Sequence, residues 1–240
     1  MSLFVKSISV VVDTETRTMA RGRPREFDTE QALDSALALF WRNGYEGTSL
    51  AALTDAVGVT PTSLYAAFGN KEALFKRVVD RYIQGPANYL LRAVAEPTAR
   101  GVAEAALAGA IGMVMNPKHP DGCLLVHGAL AAHPDLAPIR EELSRRRAGA
   151  EAAVRQRFRR AAEDGELPGT ADADRLAGFL MTVIWGMSVQ AAGGAGRADL
   201  ERAAETALSA WPGVPARAGR RRRTGGSGPR RSAGSKRRGV

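Results

Sequence analysis

The 240-residue sequence predicts an all-α fold, with a small three-helix unit near the N-terminus and a larger helical domain behind it. Three observations carry this. Apolar residues recur at helical spacing from Phe27 onward, punctuated by Gly, Pro and capping residues. Alanine and arginine, both strong helix formers, dominate the composition. No stretch alternates apolar and polar as a half-buried strand does, and nothing repeats at a fixed period.

The elements follow in order. Asp28 caps a helix whose Ala32, Ala36, Leu39 and Phe40 recur along one face, with Gln31 placed as capping-box partner. Gly44 sits where that helix ends. Thr48 opens a second helix, SLAALTDAV, stopped at Gly58. Thr60 and Pro61 open a third, TSLYAAF, because proline at the first helical position gives up no needed N–H. That helix ends at Gly69, and Asn70 caps a fourth, KEALFKRVVDRYI, which Gly85-Pro86 breaks. ANYLLRAVA and then Thr98 to Met115 are helical. Asn116 to Asp121, with two prolines, is a loop, and Gly122 to Ala132 is helical. Pro138 starts a long helix ended by Gly165. Asp172 to about Gln190 forms an apolar helix, Gly193 to Gly196 a turn, and Ala198 to Trp211 an amphipathic helix.

The two ends differ from this pattern. Residues 1 to 20 read as a disordered extension. MARGRPREFD, from Met19, reads like a start of its own, so the first 18 residues are expected to be an over-extended start. They lack the clean apolar core and cleavage site of a signal peptide. No apolar run is long enough to span a bilayer, so no membrane partner is expected. The formal charge of +9 lies in the other end. Residues 212 to 240 hold ten of the 34 Lys and Arg and no acid, which leaves 24 basic against 25 acidic residues, a net of −1. This tail reads as a solvated, disordered segment, or as a nonspecific contact to polyanions. One cysteine excludes an internal disulfide framework and fits a reducing cytoplasm. No nucleophile–base–acid set and no phosphate loop is present, so neither an enzyme nor a cofactor is expected.

Two short helices joined by a tight turn, SLAALTDAV-GV-TPTSLYAAF, have helix-turn-helix spacing over Ser49 to Phe68. Ala52, Val57 and Leu64 suit the seam between them, and Gly58 permits the reversal. The outward residues of the second helix are Thr60, Thr62, Ser63, Tyr65 and Ala66. Hydroxyls bond phosphates or bases, and small methyls touch thymine methyls. No Arg, Asn or Gln lies on this helix, so DNA shape, phosphate positioning and the arm GRPR must carry specificity. Residues 21 to 81 hold eight basic and eight acidic residues, so binding needs a one-sided charge distribution.

The stretch from GRPREFD to NKEALF resembles the tetracycline-repressor (TetR) family of regulators. The matching features are the arm GRPR, the F-x-x-x-G-Y-x-x-T-S opening, the G-V-x-x-x-x-L-Y-x-x-F core and the K-E-x-L-F that follows. The resemblance implies a homodimer binding a palindromic double-stranded DNA operator, with an effector-binding and dimerising domain over residues 82 to 211. It implies phosphate contacts from Thr48, Tyr65 and Lys71. Thr60, Thr62, Ser63 and Ala66 would face the groove, and Arg23 and Arg25 would enter the minor groove. Repression, relieved by a small-molecule effector, is the family's common mode. The rival from another class is a nonspecific architectural DNA binder driven by the basic tail.

The second domain is less legible. The helices at about 172 to 192 and 198 to 211 are the candidates for the dimer interface; the first contains FLMTVIWGMSV, apolar around most of its circumference, and Gly178, Gly186 and Ala191 would allow a partner close approach. Phe158, Phe179, Met181, Trp185 and Met187 are candidates to line an effector cavity. Arg145 to Arg147 read as a solvated helix face. Cys123, in the predicted first turn of a helix, shares a face with His127 four residues on. His119 can fold back towards it, and His133 points away. Cys123 is either a plain core cysteine, a thiol sensor or, with His127, a soft-metal ligand; no metal site is assigned.

Overall fold

Side-chain caps start most of the helices. The computed structural model describes residues 28–127 and 134–212. Expectations for the two ends, for Arg23 and Arg25, and for His133 lie outside the described residues. Asp28 accepts the N–H groups of Glu30 and Gln31 at 2.9 and 3.1 Å and starts α1, Thr29–Asn43. Ser49 caps α2, Leu50–Val57, through the Ala52 N–H. This corrects the expectation for Thr48, which lies one residue too early. Thr60 caps α3, Pro61–Phe68, and Asn70 caps α4, Lys71–Gln84. Short α5, Tyr89–Ala93, follows the Gly85-Pro86 break. Thr98 caps α6, Ala99–Val114, whose Ala99 N–H also donates to Glu166 at 2.7 Å. Helix α7 is Leu124–His127, and the rest of the helix expected up to Ala132 lies outside the described residues. A 3-10 turn, Pro134–Leu136, leads into the long α8, Ala137–Glu163. Asp172 caps α9, Ala173–Ala192, and α10 is Arg197–Ser209. No strand occurs among the described residues.

α1 buries Ala32, Leu33, Ala36, Leu37, Phe40 and Trp41 against α2 and α4. The Phe75 ring meets Phe40 and Tyr45 edge-on at 5.1 and 5.2 Å. Arg81 on α4 locks the same pair of helices through Asp34 at 2.8 Å and Glu30 at 2.5 Å. The seam of the helix-turn-helix is made by Leu53 and Leu64, while Ala52 and Val57 are only partly buried. The helical period places Leu53, not its neighbours, towards α3.

α4 continues out of this small unit into the larger one, where Tyr82 is fully buried. There α6, α8, α9 and α10 pack around Leu107, Leu143, Val154, Phe158, Leu180 and Ile184. The three arginines of α8 are not simply a solvated face. Arg146 reaches Asp80 on α4 at 2.6 Å and Glu142 at 2.7 Å, Arg145 also pairs with Glu142, and Arg147 donates to the Leu125 carbonyl. Arg146 ties α8 to α4 and Arg147 ties it to α7, while Arg145 stays exposed and pairs only within α8.

Candidate nucleic-acid interface and effector cavity

The outer face of α3 is free. Thr60, Thr62, Ser63 and Ala66 are exposed, and Tyr65 is 38% exposed. α3 itself carries no acid. The Thr60 hydroxyl accepts the Ser63 N–H at 3.2 Å and meets the Ser63 hydroxyl at 3.0 Å, so the cap also orders two polar groups at the helix start. Lys71 opens α4 beside this face, with Nζ 4.3 Å from the centroid of the Tyr45 ring. Burial lowers its pKa, and Glu46 offsets part of that. Arg77 sits over Phe68, its guanidinium carbon 4.9 Å from the ring centre.

Thr48 is placed differently. It is 0% exposed, and its hydroxyl donates to the Gly44 carbonyl at 2.7 Å, with the Leu39 carbonyl at 3.4 Å. Its side chain is therefore spent on the turn between α1 and α2 and presents nothing to a phosphate in this arrangement.

In the larger unit, α4, α5, α7, α8 and α9 enclose a cavity of about 350 Å³. Ile83, Leu90, Leu125, Met181, Ile184 and Trp185 supply apolar walls, and Cys123 also lines it. Phe158 is not part of it; it is fully buried and packs on Trp211 with ring centroids 5.2 Å apart. Phe179 is not either, being 44% exposed on the outer side of α9. Met187 is buried on the α10 side and lines a separate groove. The residues sequence reasoning missed, Tyr89, Leu90 and Leu125, come from short elements with no periodicity to read.

Cys123 precedes α7 instead of occupying its first turn. Its carbonyl accepts the N–H groups of Val126 and His127, and the Tyr82 hydroxyl lies 3.1 Å from Sγ and 3.2 Å from Met113 Sδ, its proton held between the two sulfurs. Burial pushes the Cys123 thiol up, and the Tyr82 hydroxyl, the Leu125 and Val126 amides and Arg147 offset only part of this. The thiol's partner is thus Tyr82, not His127. The His127 ring stands against Gly122, where any side chain would collide with it. His119 does not turn to the thiol: it lies on Trp41, ring centroids 5.0 Å apart, and its Nδ1 sits 3.1 Å from the Met113 carbonyl. Among the described residues no group of three or more His, Cys, Asp or Glu is placed to hold a metal.

Residues 32–78 match the family of bacterial regulatory proteins, tetR family, and residues 102–207 match the tetracyclin repressor-like C-terminal domain. The HTH-type transcriptional repressor ComR of Escherichia coli (strain K12) is 38% identical over 201 residues, spanning 83% of this chain and 96% of that one. The chain belongs to the TetR family of transcriptional regulators. A cysteine mutant of the TetR family regulator CifR, complexed with 26bp double-strand operator DNA, is 40% identical with a TM-score of 0.75, covering 79% of this chain and all of that one. The reduced form of E. coli NemR shares the fold at 22% identity and a TM-score of 0.64, covering 78% of this chain and 97% of that one. Members of this family are regulators, not enzymes, and the likenesses do not favour an architectural binder. No helix among the described residues is long and apolar enough to cross a membrane.

Two further features gain meaning in a TetR-family chain. TetR regulators act as dimers, and α9 carries an outward stripe of Phe179, Thr182, Gly186 and Val189, spaced as one helical face. Val189 is 48% exposed, large for an apolar residue. Ala191, expected on that face, is instead buried within the protomer. The second feature joins the two units. The Trp41 indole on α1 donates to the Gly122 carbonyl at 3.3 Å and meets Tyr82 edge-on at 4.8 Å. Gly122 adjoins Cys123, so one peptide links the cavity wall to the helix-turn-helix unit.

Proposed function

We propose that the chain is a cytoplasmic repressor that binds a palindromic operator as a homodimer through residues 21–81 and releases it when a small molecule enters the cavity of residues 82–211. One observation carries this: an exposed, acid-free face on α3, flanked by Lys71, in a chain aligned along the whole of a regulator complexed with operator DNA. Thr60, Thr62, Ser63 and Ala66 read the groove, Tyr65 and Lys71 hold phosphates, and Arg23 and Arg25 extend into the minor groove. Occupation of the cavity pushes on α4 and on the Gly122-Cys123 peptide, and so changes the spacing of the two recognition helices.

The test is to recover DNA bound in cells, locate the shared inverted repeat, and measure its binding by mobility shift with the full chain. Binding that ignores half-site spacing would contradict the reading. A second reading is favoured by Cys123 lining the cavity: the effector reacts with its thiol. Operator release by peroxide, quinone and copper, compared between the native protein and Cys123→Ser, decides between them. Identical release by all three in both proteins removes the thiol reading.

A further inference from the structure

Two side-chain donors on the cavity walls, the Trp185 indole N–H and the Tyr89 phenol, are left without a partner among the described residues. The Cys123 thiol on the wall is engaged by the Tyr82 hydroxyl behind it, and the Ser188 hydroxyl donates to the Ile184 carbonyl at 3.1 Å. Arg145 and Arg146 are matched by Glu142 and Asp80. The Tyr89 phenol has no hydrogen-bond partner among the described residues. The phenol oxygen is not sealed from solvent, so water or an occupant of the cavity can take its hydrogen bond.

The placement of this ring is built into the sequence. Tyr89 rests on Gly109 in the middle of α6, where an added Cβ would stand 2.7 Å from the ring. Glycine inside a helix costs about 1 kcal/mol relative to alanine, so the close approach has a structural use. Tyr89 is a wall shared by this cavity and by a more open cleft of about 560 Å³ on its other side. Its electrostatic neighbour is the Cys123 thiol, which lines the enclosed cavity and not the cleft. Burial pushes the phenol up, which keeps it protonated and a donor.

The charges at the mouth decide the occupant's charge. The ionised side chains that line the cavity are Arg145 and Arg146, and Glu142 and Asp80 already neutralise them. A charged ligand would lose its hydration and meet no unmatched countercharge. The volume, near the low end for ligand cavities, admits one small molecule.

We propose that the cavity takes a small, neutral, mostly apolar molecule with one hydrogen-bond acceptor, a carbonyl or ether oxygen, and that the Tyr89 hydroxyl is the donor that selects it. This rests on the cavity being the effector site. The probes are 2-acetylnaphthalene, the hydrocarbon 2-ethylnaphthalene of nearly the same shape, and the anion 2-naphthoate. Their binding to the full chain is measured by calorimetry for the native protein, Tyr89→Phe and Ala150→Trp, which fills the cavity. The ketone is expected to bind the native protein about tenfold more tightly than the hydrocarbon. Tyr89→Phe erases that advantage and leaves the hydrocarbon unchanged, and naphthoate binds most weakly. In the native complex the ketone C=O stretch moves to lower frequency, and it returns in Tyr89→Phe.

Both neutral probes binding, with Ala150→Trp blocking them but no discrimination by Tyr89→Phe, overturns the donor and leaves the cavity standing. An unshifted stretch in the native complex overturns it without any variant. Naphthoate binding more tightly than the ketone overturns the neutral class. Ketone affinity undiminished in Ala150→Trp, or no binding of either neutral probe, overturns the effector-site reading and this proposal with it.

Discussion

Lys71 shows how a single side chain is tuned by its setting. Its ammonium lies on the Tyr45 ring at the start of α4, where the helix dipole and free N–H groups also favour an anion. Lys71→Ala is expected to weaken operator binding by roughly tenfold and to lower the slope of log affinity against log salt by about 1. A titration of salt concentration in the mobility-shift assay checks this, and an unchanged slope would mean that Lys71 touches no phosphate. Because burial lowers its pKa, the contact should also fade at a lower pH than an ordinary lysine contact. Other residues resisted reading from sequence alone. Thr48 looked like a cap and a phosphate ligand, but its hydroxyl is drawn inward to the Gly44 carbonyl. Cys123 and His127 have the spacing of a pair, yet Tyr82, 41 residues away, takes the thiol. Spacing along a helix says nothing about a partner from another helix.

The helices themselves were legible because their starts are local chemistry. Asp28, Thr60, Asn70, Thr98 and Asp172 all accept N–H groups of the turn they precede. The cavity was legible only in part: Met181 and Trp185 line it, whereas Phe179 on the same helix and Phe158 on α8 do not. Periodicity marks a buried face without saying whether it meets core, cavity or a second chain. Two predictions belong to this scale. Trp41→Phe keeps an aromatic ring edge-on to Tyr82 but removes the N–H that holds the Gly122 carbonyl. It should leave operator affinity near native while uncoupling it from methylthiolation of Cys123, a modification that must displace the Tyr82 hydroxyl. Release that still follows modification in the variant, by the same factor, would count against the link. The other concerns α8. Burial works to raise the Glu142 pKa, but hydrogen bonds from Arg145 and Arg146 outweigh it and hold it below its ordinary value of 4.5. A depressed folded pKa adds stability that is complete above that ordinary value and is lost as pH falls through the lower one. Thermal melts should show a shallower acid limb in Glu142→Gln; parallel limbs would mean that the cluster contributes nothing to acid sensitivity.

For the whole molecule, the exposed stripe of Phe179, Thr182, Gly186 and Val189 is the surface we propose for the dimer interface. Phe179→Glu with Val189→Arg should yield monomers by light scattering and abolish operator binding, since one short recognition helix reads too few base pairs. A dimer that survives both charges would move the interface elsewhere. Removing residues 213–240 takes ten basic side chains from the chain. The truncated protein should keep its operator preference and lose only salt-sensitive binding to unrelated DNA; loss of all binding would revive the architectural reading.

The chain's three tryptophans stand at three working points: Trp41 at the joint between the units, Trp185 on the cavity wall, and Trp211 edge-on to Phe158 in the core. Intrinsic fluorescence therefore carries three separable reports. Single-tryptophan variants would time ligand arrival at Trp185 against movement of the joint at Trp41, with Trp211 as a steady internal standard, and no dye would have to be attached.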